Sequence, residues 1–231
     1  MSRALPAALF VLITSCVPAP VVEGIAAGNP GCLYSVPRRD QVVALTLDDG
    51  PDSATTPELL KILAENNARA TFFLISGNLP GNDTLVHRLV REGHEIGNHF
   101  SRNEASIALS PREFVSSFLT ADSALREFAP VRWVRPGSGH YNKRMIRTFR
   151  DHGYHCALGS VYPFDPQIPS PAYATWLVQR YVRPGSIIIL HDGGYKGRNT
   201  IKTLQAVLPV LARRGYRVVT LSELGGLSTQ R

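Results

Sequence analysis

The chain has 231 residues, 25 Lys+Arg against 18 Asp+Glu, 44% hydrophobic residues and three cysteines. The apolar share excludes a disordered polar chain, and three cysteines are too few for a disulfide-built scaffold. The length suits one domain of α/β type, and the mild basic excess is no polybasic tail.

Arg3 precedes an uncharged apolar run from Ala4 to Ile13, the length of a signal-peptide core and too short to span a bilayer. The run ends at Ile13-Thr14-Ser15-Cys16, which resembles a bacterial lipobox; small residues at Ala26-Ala27-Gly28 offer a second cleavage point. Residues 1–27 are therefore expected to be a leader plus short linker, and residues 28–231 the folded domain. The expected location is exported: secreted, periplasmic or lipid-anchored at the envelope, with a lipid anchor as the only membrane contact. Export permits a disulfide between Cys32 and Cys156.

The first predicted strand is the apolar run Val42–Leu47, followed by a helix to about Asn66 with Thr56 as its N-cap and Pro57-Glu58 in its first turn. Ala70–Ile75 reads as a strand, Asp83–Glu92 as a helix and Glu95–Gly97 as a weak strand. Ser110-Pro111-Arg112-Glu113 is a capping box that opens a helix reaching about Phe128. There follow strand Val131–Val134, helix Lys143–His152, strand Tyr154–Leu158 and helix Tyr173–Val182. The wholly aliphatic strand Ile187–Leu190, helix Thr200–Arg214 and strand Arg217–Leu221 complete the series. Seven strands alternating with helices imply a parallel sheet, either open and doubly wound or closed as a barrel short of one strand. The first strand is followed by no Gly-x-Gly-x-x-Gly, which disfavours a dinucleotide fold.

The chemically capable residues gather after strands. Asp48-Asp49-Gly50-Pro51 follows the first, Asn98-His99 the third and Arg135-Pro136-Gly137 the fourth. Asp165 lies just beyond the fifth, and His191-Asp192-Gly193 follows the sixth. Parallel strands place all these ends on one face, where α/β active sites form. Adjacent carboxylates repel unless a cation or Arg compensates. A carboxylate and an imidazole suit a divalent ion such as Zn²⁺, a second carboxylate can serve as general base and a second histidine as general acid. The set points to metal-assisted hydrolysis. No Gly-x-Ser-x-Gly elbow supports a serine hydrolase, and no basic stripe interleaved with aromatics supports nucleic-acid binding.

In this order the motifs resemble those of the polysaccharide deacetylases, carbohydrate esterases with a NodB-homology domain. Thr46-Leu47-Asp48-Asp49-Gly50-Pro51 is similar to the family's Thr-Phe-Asp-Asp-Gly-Pro motif. Gly93-His94-Glu95-Ile96-Gly97-Asn98-His99 resembles the second motif, Arg135-Pro136-Gly137-Ser138-Gly139 the third, Asp165 the fourth and Leu190-His191-Asp192 the fifth. The resemblance implies a distorted (β/α) barrel of about seven parallel strands. It implies Asp48 as general base, Asp49 and His99 as metal ligands, and Arg135 as the residue orienting Asp48. Ser138 would offer an oxyanion N–H, with Gly139 beside the substrate; Tyr141, by its position after the third motif, is expected at the border of the cleft. His191 would be the general acid, Asp165 would hold Arg135 or His191, and Leu190 would face the acetyl methyl group.

Three departures stand out. The second motif-two histidine is Asn103, a weaker zinc ligand, with Glu104 as a rival donor; the third motif carries Gly137-Ser138; and Pro166 follows Asp165 where a Trp is usual. The expected substrate is an acetylated glycan, chitin-like or peptidoglycan, losing N-acetyl groups. The alternatives are an O-acetyl esterase on xylan or exopolysaccharide and a catalytically weak glycan-binding protein. The oligomeric state is not legible.

Overall fold

The computed structural model describes residues 31–226. The expected leader at 1–27, with the lipobox and both cleavage points, lies outside them. No helix among the described residues is long and apolar enough to cross a membrane.

The elements are β1 (Cys32–Leu33), β2 (Val42–Asp48), α1 (Thr56–Glu65), β3 (Ala70–Leu74), α2 (Asp83–Arg91), β4 (Glu95–Asn98), α3 (Pro111–Arg126) and β5 (Trp133–Val134). They continue with α4 (Lys143–Asp151), β6 (His155–Ala157), α5 (Pro171–Tyr181), β7 (Ile187–His191), α6 (Gly194–Arg213), β8 (Arg217–Val219) and α7 (Leu221–Leu224). The eight strands pair in the order β1-β6-β5-β4-β3-β2-β7, with β8 against β2, and every pairing is parallel. Isolated bridges Ser35–Ser186 and Val161–Ile188 join the two edges of the sheet. The fold is thus a distorted (β/α) barrel, as the family resemblance implies and one of the two layouts that the alternation left open. The seven predicted strands are all present.

β1 is the additional strand. Two residues carry no periodic signal; β1 is fixed by its ladder to β6 and by a disulfide between Cys32 and Cys156, which are register partners. The described chain therefore contains the pairing that export permits.

The central strand β2 is buried at every position and flanked by β3 and β7. Its residues pack with α1, α2 and the aliphatic β7 in a continuous core. Phe100, Phe114, Phe118 and Phe149 form an aromatic cluster with ring centroids 5.4–6.2 Å apart, joining the loop after β4 to α3 and α4. The capping box at α3 forms as expected: Ser110 Oγ accepts from the Glu113 N–H, and Glu113 accepts from the Ser110 N–H.

Three helix starts differ from the pattern reading. α5 opens at Pro171 under a Ser170 cap, two residues before Tyr173. α6 opens at Gly194, six residues before Thr200, and Gly197, which reads as loop, lies inside the helix because close packing there excludes a side chain. A Cβ on Gly197 would lie 2.6 Å from Thr55 Oγ1. At α1, Thr56 is the first helical residue and Thr55 the N-cap position. The Thr56 hydroxyl instead accepts from the Asp52 N–H and donates to Asp192.

Candidate active site

The C-terminal ends of β2, β4, β5 and β7 bring Asp48, Asp49, His99, Arg135 and His191 to one face, as their positions in the sequence imply. Three paired groups stand there.

The first pair is Asp48 with Arg135. Asp48 ends β2 and Arg135 follows β5; both are buried, Arg135 to 2% exposure. Arg135 Nη1 donates to Asp48 Oδ1 at 2.6 Å and to Thr46 Oγ1 at 2.8 Å. Its Nε donates to Ala157 O and its Nη2 to Leu158 O, while the guanidinium lies 4.1 Å above the Phe73 ring. Five fixed contacts make Arg135 a rigid mount for the carboxylate, with Asp48 Oδ2 left as the second acceptor.

The second pair is His191 with Asp165. His191 Nδ1 lies 2.9 Å from Asp165 Oδ1, and the His191 backbone N–H donates to Asp165 Oδ2 at 3.0 Å. The resemblance left open whether Asp165 holds Arg135 or His191; the contacts select His191. A carboxylate on Nδ1 fixes the tautomer and leaves Nε2 as the atom able to exchange a proton. Burial lowers the His191 pKa, but the Asp165 hydrogen bond and charge, then Asp48 and Asp49, outweigh it and raise it above its ordinary value.

The third group surrounds Asp49. Its backbone is in the left-handed region at φ 74°, costly for a non-glycine residue and held by a hydrogen bond from Asn78 Nδ2 to its carbonyl at 2.9 Å. His99 Nε2 stands 3.4 Å from Asp49 Oδ1, and Lys196 Nζ contacts Asp49 Oδ2. His99 Nδ1 lies 2.7 Å from Arg135 O; donation to this carbonyl leaves a lone pair on Nε2, the form that binds a cation. Burial opposes ionisation of Asp49, yet His99, His191 and Lys196 together hold its carboxyl far below the usual range.

Asn103 lines a cleft of about 480 Å³ with Asp49, Ser101, Tyr195 and Lys196. Among the described residues no three His, Cys, Asp or Glu side chains cluster as a metal cage. The donors that fit a divalent cation are the Asp49 carboxylate, the His99 imidazole and the neutral Asn103 amide. Glu104 pairs with Arg102 at 3.4 Å.

The expected substrate contacts are placed as follows. Ser138 occupies a left-handed turn at φ 61°, beside Gly139. The neighbouring Gly137 N–H is taken by Ser106 Oγ at 2.8 Å, and a Cβ there would lie 2.0 Å from Glu104 O. Tyr141 bonds the Tyr34 hydroxyl at 3.1 Å. Leu190 is a core residue of β7, paired with Leu47 and 1% exposed.

Sequence reasoning missed Lys196. The residue falls in the glycine-rich stretch read as loop. Its signal is positional: a lysine in the first turn of a helix opposes the macrodipole and calls for a nearby carboxylate.

Comparison with known proteins agrees with this arrangement. Residues 35–157 match the family model described as polysaccharide deacetylase. A peptidoglycan-N-acetylglucosamine deacetylase of Bacillus cereus is 34% identical over 194 residues, covering 83% of this chain and 91% of the relative. The crystal structure of the Bc1960 peptidoglycan N-acetylglucosamine deacetylase superposes with a TM-score of 0.82 at 28% identity, over 89% of this chain and 98% of that one. A family 4 acetyl xylan esterase from Clostridium thermocellum, in complex with a cobalt ion, has a TM-score of 0.73 and 30% identity, over 80% of this chain and 91% of that one. With the match spanning more than half its length and the motif residues gathered at one end of the barrel, this chain belongs to the polysaccharide deacetylase family.

Proposed function

We propose that this chain removes N-acetyl groups from an amino-sugar polymer, a peptidoglycan strand or chitin-like chain, with the help of a divalent cation, Zn²⁺ by the type of its donors. The observation that carries the reading is the pair of separately mounted proton-handling groups. Asp48 on Arg135 and His191 on Asp165 stand on adjacent strands beside Asp49 and His99. The peptidoglycan deacetylases among its relatives support the amide substrate.

Asp49, His99 and Asn103 would hold the cation. When bound, it supplies a Lewis acid that polarises the acetyl carbonyl and lowers the pKa of water. Asp48, ionised against Arg135, takes the proton of the attacking water through its second oxygen. The Ser138 turn offers a backbone N–H to the developing oxyanion. His191, whose pKa Asp165 raises, delivers a proton from Nε2 to the departing amine.

Export belongs to this reading: the leader pattern at 1–27 and the Cys32–Cys156 disulfide support it.

Acetate release from N-acetylglucosamine oligomers, peptidoglycan and acetylated xylan, with and without chelator, tests the proposal. Release from the amino sugars that chelation abolishes is the expected result. Release from xylan alone would favour the ester reading, in line with the esterase neighbour. No release from any acetylated glycan, with Asp48→Asn indistinguishable from the unaltered protein, would leave a glycan-binding role.

A further inference from the structure

Lys196 Nζ contacts the carboxylate oxygen of Asp49 that His99 does not face, and both side chains are largely withdrawn from solvent, at 19% and 10% exposure. The position is locally unfavourable. Lys196 sits in the first turn of α6, where the partial positive charge of the helix end repels an ammonium. Its contact with Asp49 compensates. Three carboxylates on this face have a basic partner, Asp48 with Arg135, Asp165 with His191 and Asp49 with Lys196, whereas the buried Asp192 is held by the Thr55 and Thr56 hydroxyls.

We propose that Lys196 is the resident counter-cation of Asp49, which a divalent ion must displace, so that Lys196 sets how tightly this chain holds metal. This rests on the reading of Asp49 as a metal ligand. The charge argument is direct. A dication approaching Asp49 with Lys196 in place meets a positive charge on the same carboxylate. Nor does the donor set offset this repulsion, because Asn103 brings no charge. The geometry also supplies an exit. Lys196 lines the open 480 Å³ cleft with Asn103 and Tyr195, and its four-carbon stem can carry the ammonium into water without moving the α6 backbone. The site is thus tuned between two cations, one covalently attached and one drawn from solution.

Zinc affinity, measured by competition with a chromophoric chelator, is compared between the purified protein and Lys196→Met, which keeps the stem and removes the charge. The expected result is roughly tenfold or more tighter zinc binding by the variant. Equal or weaker binding by the variant overturns the role of Lys196 and leaves the metal reading standing. Absence of zinc binding by both proteins overturns both. A second readout needs no variant. Labelling of Lys196 by an amine-reactive ester, followed by peptide mass spectrometry, should rise when zinc is added to the unaltered protein. Labelling that is unchanged at saturating zinc overturns the displacement.

Discussion

Asp48 and His191 are Cα partners across the β2–β7 ladder. The Asp192 N–H, one residue on, donates to Asp48 O at 2.7 Å and carries the pairing past the strand end. The two groups that would move protons are therefore fixed at one height on neighbouring strands. Each is mounted on a buried partner from elsewhere in the chain, Arg135 after β5 and Asp165 after β6. Separate mounts let one fold hold a base and an acid with opposite charge preferences a strand apart.

The pH dependence follows from the Asp165 contact. His191 must be protonated to act as acid, and its pKa is raised above its ordinary 6.5. Activity is therefore present below that raised pKa and lost as pH rises through it. Asp165→Asn removes the main raising influence and leaves only the charges of Asp48 and Asp49 against burial, so the alkaline limb of kcat/KM shifts to lower pH. An unmoved limb would show that His191 is not the titrating acid.

Arg135 carries stability as well as orientation. Arg135→Met strands the Asp48 charge in a buried site and should cost about 3–5 kcal/mol in denaturant unfolding. Arg135→Lys restores a charge but cannot reach Asp48, Thr46, Ala157 and Leu158 together, so it should recover only part of that stability. Full recovery would mean that the fork geometry is unimportant.

The ligand and acid assignments separate by metal content. Asp49→Ala and His99→Ala should lower bound zinc and rate together. His191→Ala should retain zinc while the rate falls by roughly 10²–10⁴-fold. Elemental analysis beside rate measurement checks both, and zinc lost from His191→Ala would overturn the acid role.

Acid sensitivity of the fold is expected from His94, away from the chemistry. It is buried against Phe72, and its Nδ1 accepts from the Ala70 N–H at 3.2 Å. Burial, with the charges of Arg69 and Arg88 adding to it against Glu92, lowers its pKa from 6.5 to about 4. The unfolded chain binds the extra proton between these values. Stability is thus fully present above pH 6.5 and falls on acidification, by about 3 kcal/mol once pH reaches 4. Urea midpoints across this window should be flatter for His94→Gln than for the unaltered protein.

Much of the fold and half of the site were legible because they are local. The apolar runs of β2, β3 and β7 announce themselves, and in a parallel barrel the residue after a strand is on the catalytic face whatever the loop does. Pairings between distant segments were not legible in that way. Whether Asp165 meets Arg135 or His191 depends on where the loop after β6 folds back. β1 exists only through its partner β6, and Lys196 was hidden by glycines that read as loop until Thr55 is packed against Gly197.

The disulfide that fastens β1 to β6 also gives the molecule an orientation. Cys32 is the first residue of its strand, and every strand runs the same way. Cys32 therefore marks the end of the barrel opposite Asp48 and His191, and its strand cannot peel away from β6 while the bond is intact.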